Sequence, residues 1–351
     1  MQGKPYAGNP HVRFDEGAGA PRHSGRSALL CKRREFLLLG AGAVLAARLP
    51  VLAARRTPLP PLRLESIEIP VGASKPFGAI QVSDTHIVRV DNRDDERKMK
   101  LAAGRRRYAP WGEHYLDEAI RAAKERGDML LHTGDMIDFV SAANLDVAAV
   151  HFADGDWFVS SGNHEFNRYM GEAKEDDEYK RGSYARVQDA YPNDLTFSSR
   201  VVNGVNFVAI DDVYYNVTEA QHALFEKEVE KGLPIVLLCH VPFYGPRLYD
   251  YVMKATNNKC AYVTGAPLSC TSTYEAGKTY PAGQEWRHCG VQQKTDKPTA
   301  EFIAWLREQK LLRAILCGHM HHFFKERFSP SAMQYVCSAT FKGEAYAIQF
   351  V

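Results

Sequence analysis

A chain of 351 residues with 45% hydrophobic and 25% charged composition can bury a full core and is too polar to be a multi-span membrane protein. Residues 1–53 hold eight Lys/Arg against three Asp/Glu, so the remainder is slightly acidic and offers no basic face for binding nucleic acid.

Residues 1–30 are rich in Gly, Pro and Arg without hydrophobic periodicity, which predicts disorder. Arg33 and Arg34 then precede an apolar run from Phe36 to Ala47. The run is shorter than the roughly 20 residues of a membrane span, and the small residues around Ala53 suit a signal peptidase. Arg33-Arg34-Glu35-Phe36-Leu37 resembles a twin-arginine export signal, with Lys32 where Ser or Thr is usual. Residues 1–53 are therefore expected to engage the twin-arginine translocation machinery. The destination is periplasmic or otherwise extracytoplasmic, with an uncleaved membrane anchor as the alternative.

From residue 60 short apolar runs alternate with amphipathic helical stretches. "LRLESIEI" (62–69) alternates with period two, and "GAIQVSD" (78–84) reads as a buried strand. Arg105-Arg106-Arg107 reads as a solvated loop. "EHYLDEAIRAAKERG" places Tyr115, Leu116, Ala119, Ile120 and Ala123 on one helical face and ends at Gly127. "DMLLHTGD", "DWFVSSGN", "LPIVLLCH" and "RAILCGH" are four further apolar runs that end in polar residues. Asn203-Gly204 between apolar flanks predicts a type I′ hairpin. Thr218 and Gln221 form a capping box for a helix that closes at Gly232. The acidic run near residue 175 reads as solvated surface.

Strands alternating with helices predict an α/β layered domain around a largely parallel sheet, whose ligands bind beyond the carboxyl ends of the strands. Residues 244–298 form a long Gly, Pro, Thr and Cys containing insertion, a candidate cap. Tyr244, Tyr249, Tyr251, Tyr262 and Trp286 are available to line it. Cys239, Cys317 and Cys337 lie in apolar runs and read as buried thiols. Cys260, Cys270 and Cys289 share a polar stretch, and an extracytoplasmic chain can form one disulfide among them.

Each apolar run ends in a metal-ligand type: Asp84-Thr85-His86, Gly134-Asp135, Gly162-Asn163-His164-Glu165, His240 and Gly318-His319-Met320-His321. Two divalent cations about 3.5–4 Å apart need a bridging carboxylate, and neutral imidazoles then complete the shells. The single residue inside Asp-x-His and His-x-His lets both side chains reach one side of an extended segment. His132 reads as an inward strand histidine, and His322 has no assigned role.

In this order the five blocks resemble the calcineurin-like metallophosphoesterases over roughly residues 80–325. The resemblance implies a layered αββα sandwich with central mixed β-sheets over residues 54–351. It implies that Asp84, His86 and His321 hold one metal, that Asn163, His240 and His319 hold the other, and that Asp135 bridges them. Mixed nitrogen and oxygen ligands suit Mn, Fe or Zn. His164 would act as acid toward the leaving group, Asp138 would orient it, and Glu165 would fix the turn. The implied activity is hydrolysis of a small-molecule or lipid phosphoester by a hydroxide bridging the two metals.

Two departures narrow it. Purple acid phosphatases place a tyrosine where Asp138 stands, and protein Ser/Thr phosphatases place Arg-Gly where Phe139-Val140 stand. With no further arginine clamp legible, phosphodiesters are favoured over monoesters. A pyrophosphohydrolase acting on a nucleotide or lipid-linked diphosphate is the alternative, as is a non-catalytic metal-binding scaffold.

Overall fold

The computed structural model describes residues 59–169, 177–255, 262–267 and 295–351. The chain divides into two units, Met1–Pro58 and Leu59–Val351. The first, with the expected export signal, lies outside the described residues, as do Cys260, Cys270, Cys289, Trp286 and most of the candidate cap.

Eleven strands among the described residues build two mixed sheets. The first has the order β1-β11-β2-β3-β4, from β1 (Arg63–Ile69), β11 (Glu344–Phe350), β2 (Phe77–Val82), β3 (Met129–Thr133) and β4 (Trp157–Ser160). The second runs β5 (Phe197–Val202), β6 (Val205–Ile210), β7 (Ile235–Leu238), β8 (Leu312–Cys317), β10 (Met333–Val336) and β9 (Phe324–Arg327). The single largely parallel sheet expected from local pattern is thus two sheets. Parallel ladders join β2 to β3, β3 to β4, β6 to β7 and β7 to β8. β11 inserts parallel to β1 and antiparallel to β2, a pairing between distant segments that no local periodicity encodes.

Strands β3, β4, β6 and β7 read as near-continuous apolar runs because both of their faces are covered. Leu131, Phe158, Phe207, Leu238 and Leu316 meet between the sheets. On the outer face of the first sheet, Leu130 and Val159 pack on Leu116 and Ile120 of α2 (Gly112–Arg126) and Leu145 of α3 (Ala142–Phe152). On the outer face of the second, Ile235 and Leu237 join Phe225 of α5 (Glu219–Glu230) and Phe302 of α7 (Lys297–Arg307). The layers are therefore αββα. α1 (Glu96–Tyr108), α4 (Asp177–Gln188) and α6 (Pro246–Ala255) complete the helices among the described residues.

Local signals act as their chemistry dictates. All five apolar residues of the α2 face are buried, and Gly127 ends the helix at a φ of 72°. Asn203 and Gly204 take φ of 48° and 79° and join β5 to β6 antiparallel. The capping box of Thr218 and Gln221 opens α5. The three arginines expected in a loop instead form the last turn of α1, where their charge complements the helix dipole. Cys239, Cys317 and Cys337 are buried free thiols.

Candidate metal centre

The polar residues that follow β2, β3, β4, β7 and β8 converge where the carboxyl ends of the two sheets meet. Cross-sheet bonds hold the ends in register. His240 Nδ1 lies 2.7 Å from the carbonyl of Thr133, Gln81 donates to the carbonyl of Cys317 at 3.3 Å, and His319 N donates to Asp84 Oδ2 at 2.9 Å. The backbone is strained here. Asp84, His86, Asp135, His319 and His321 have φ between 49° and 68°. Each such non-glycine residue costs on the order of 1–3 kcal/mol and clusters where a site requires it. Asp84 and His86 thus share a side through alternate left-handed residues, not through the extended segment expected for Asp-x-His; the turn after β2 leaves the strand too soon for extended alternation. A Cβ on Gly134 would sit 2.5 Å from His240 Nδ1 and 2.7 Å from Gly162, so the two loops meet only through glycine.

The donor atoms form two sets that share one oxygen. Asp84 Oδ1 lies 3.1 Å from His321 Nε2 and 3.8 Å from His86 Nε2, and those two ring nitrogens are 3.3 Å apart. In the second set, His240 Nε2 lies 3.1 Å from His319 Nδ1. Asp135 Oδ2 lies 3.7 Å from His86 Nε2 and 3.3 Å from His240 Nε2, while Oδ1 accepts from His164 N at 2.8 Å. Asp84 Oδ1 and Asn163 Oδ1 are buried without any hydrogen-bond partner. Unsatisfied buried oxygens beside facing imidazole nitrogens fit a pair of cations that would supply the missing partners.

The outward ring atoms fix which nitrogen faces the site. Nδ1 of His240 and of His164 lie against the carbonyls of Thr133 and Asp138, the latter at 2.8 Å, and His86 Nδ1 lies 2.9 Å from Asp138 Oδ1. All three therefore turn Nε2 inward. His319 turns Nδ1 inward and holds Nε2 3.5 Å from the Tyr215 hydroxyl.

Burial and charge oppose one another throughout. Burial lowers the His164 and His240 pKa, but Asp135 and its neighbours outweigh it and lift them to about 9 and about 10. Burial, then His240, pushes His319 down to about 3. Burial raises the Asp138 carboxyl, yet Arg105, His164 and His86 hold it far below the ordinary range.

Asp138 lies beside both His86 and His164. The carboxylate makes its short contacts to His86 and Arg105 and stands 3.5 Å from His164 Nδ1, which its own carbonyl holds more closely. Glu165 sits at the turn and gathers three loops. Its oxygens accept from the amides of Asp135 at 2.8 Å, Met136 at 2.7 Å and Gly162 at 2.6 Å, and from the Tyr191 hydroxyl at 2.8 Å. His132 is buried between Thr85 Oγ1 and the amide of Gly134, and His322 packs on Tyr251. Three contributors escape sequence reasoning. Arg105 and Tyr108 carry no motif, whereas Asp212, which accepts from the amides of His240 and Val241, stands two residues past β6 where a strand-end reading could have found it.

The calcineurin-like phosphoesterase family model matches residues 79–323, a span that contains every one of these groups. The chain belongs to the calcineurin-like phosphoesterase family. This phosphoesterase is a metal-dependent phosphoric ester hydrolase. Comparison with curated protein sequences finds no match. Among solved structures it is similar to a dimetal phosphatase from Danio rerio, at 12% identity and a TM-score of 0.40 over 78% of this chain and 89% of that one. It is also similar to 5′-nucleotidase from Candida albicans, at 12% identity and a TM-score of 0.37 over 80% of this chain and 48% of that one. Haemophilus influenzae NAD nucleotidase follows at 11% identity and 0.34, over 75% of this chain and 45% of that one.

Proposed function

We propose that the protein is an exported phosphodiesterase in which His164 is the acid and two divalent cations are held by Asp84, His86, Asp135, Asn163, His240, His319 and His321. The observation that carries this reading is the position of Asp135 Oδ2, within 3.8 Å of ring nitrogens of both donor sets and of His164. Mn, Fe or Zn suits such a donor set. When bound, the cations lower the pKa of water and offset charge on the phosphoryl oxygens.

The protein's own groups do the rest. The main chain holds His164 at both ends, through its amide on Asp135 Oδ1 and its Nδ1 on the Asp138 carbonyl. Nε2 then faces the reacting centre, placed to give a proton to the departing alkoxide. Among the described residues, Arg105 is engaged on Asp138 and Lys342 on the carbonyl of His321. The preference for a diester rests on the absence of a legible arginine clamp for a monoester in the sequence. Export rests on the twin-arginine pattern of residues 33–37.

The test is hydrolysis of a chromogenic phosphodiester and the matching monoester after chelation and again after Mn or Zn is restored. The expected outcome is turnover that returns with metal and is faster on the diester. Turnover faster on the monoester would reject the diester assignment; none on either ester in a metal-loaded, folded sample would reject phosphoester hydrolysis of this kind. Retention of an Arg33→Lys/Arg34→Lys variant in the cytoplasm checks export.

A further inference from the structure

The two donor sets are supported differently. The Asp135, His240 and His319 set is held by β3 through the Thr133 carbonyl, by Asp212 beneath His240 and by Tyr215 beside His319. The Asp84, His86 and His321 set rests on the last turn of α1. Arg105 grips Asp138 with two nitrogens, Nε to Oδ2 at 2.6 Å and Nη2 to Oδ1 at 2.7 Å, and that same Oδ1 meets His86 Nδ1. Three residues on, the Tyr108 hydroxyl lies 3.3 Å from His321 Nδ1, and its ring sits under the Arg105 guanidinium at 4.4 Å. Phe341 fills the gap, with its ring centroid 5.2 Å from Tyr108, 5.2 Å from His321 and 5.5 Å from His86.

We propose that Arg105 and Tyr108 are positioning residues for one metal position only, so that the docking of α1 sets the affinity of the Asp84, His86 and His321 site while the other site is indifferent to it. The physical reasons are geometric. A ligand histidine binds well when its far nitrogen has a fixed acceptor. His86 has Asp138, and Asp138 cannot rotate because the planar guanidinium fork occupies both of its oxygens. His321 has the Tyr108 oxygen, which accepts from Nδ1 when Nε2 faces Asp84. Lysine at 105 keeps the charge and loses the fork, so it should restore the site only in part.

This inference rests on the two-metal reading of the same centre, and the experiment separates the two. Metal-free wild type, Arg105→Gln, Arg105→Lys and Tyr108→Phe are titrated with Mn(II), following stoichiometry by elemental analysis and the exchange-coupled Mn pair by electron paramagnetic resonance. The expected result is a loss of roughly 10–100-fold in one binding step for Arg105→Gln and Tyr108→Phe. The other step stays unchanged, uncoupled Mn replaces the paired signal, and Arg105→Lys falls in between. Tyr108 is half-exposed, so its phenylalanine variant keeps the test open should Arg105→Gln fail to fold. Equal weakening of both steps, or none in variants of a wild type that binds two ions, overturns the inference alone. A wild type that binds fewer than two ions overturns the two-metal reading with it.

Discussion

His164 is a residue whose surroundings allow two roles. Its Nε2 lies 3.8 Å from Asp135 Oδ2, and with His86 it forms a third group of atoms close enough to hold an ion. Leaving-group chemistry separates acid from ligand. A nitrophenolate departs without much help, whereas an alkoxide needs its proton in the transition state. His164→Ala should therefore retain two bound ions and lose roughly 10²–10⁴-fold in kcat on an alkyl phosphodiester. The loss should be clearly smaller on the nitrophenyl ester. Loss of an ion together with equal rate losses on both esters would make His164 a ligand. At this scale the sequence was informative because each ligand type ends an apolar run. It was silent on Arg105 and Tyr108, since a helix reaching sideways onto a site from outside the motifs leaves no local spacing. Asp138 was legible only through the family resemblance, which sets it beside His164; the contact of its carboxylate with His86 spans 52 positions and no local pattern marks it.

The elements at the site are loops tied together by one buried carboxylate. Glu165 satisfies amides of the loop after β3 and the loop after β4, and it is pinned by Tyr191 beyond α4. Burial, with Asp135 adding to it, raises its pKa to about 7, so the hydrogen bonds only partly offset the cost of desolvating it. Truncation would still be worse. Glu165→Ala strands three buried amides, each costing on the order of 1–3 kcal/mol. A destabilisation of at least about 3 kcal/mol is expected, read as a lower urea midpoint in the metal-free protein so that ligand loss does not confuse it. A midpoint within about 1 kcal/mol of wild type would mean that water takes over those amides. Individual elements were legible wherever a cap, a turn or a period writes itself locally, as at Gly127, Asn203-Gly204 and Thr218. The division into two sheets was legible only through family resemblance, because β11 pairs with β1 across 281 positions, as the Arg63 and Glu344 side chains show.

At the scale of the whole molecule, stability and function pull against each other across one boundary. The αββα layers are packed with apolar side chains on every face, while five left-handed non-glycine residues and the buried acids Asp84, Asp135 and Asp138 crowd the strand ends. Bound cations would offset that crowding, so their removal should be felt locally first. At a free metal concentration 100 times Kd, each site adds about 2.7 kcal/mol to the folded state. For a domain of this size 1 kcal/mol corresponds to roughly 2–4 °C. Chelation of both sites should therefore lower Tm by about 10 °C or more. Hydrogen exchange should quicken in residues 83–88, 134–138, 162–167 and 318–322, while α2 and the strands between the sheets keep their protection. That pattern follows from where the strain lies: the core owes nothing to metal, and the loops owe it the partners that Asp84 Oδ1 and Asn163 Oδ1 otherwise lack. Uniform loss of protection through both sheets would instead make the metals part of the folding core, and the strand-end strain would then be carried by the ions and not by the packing beneath it.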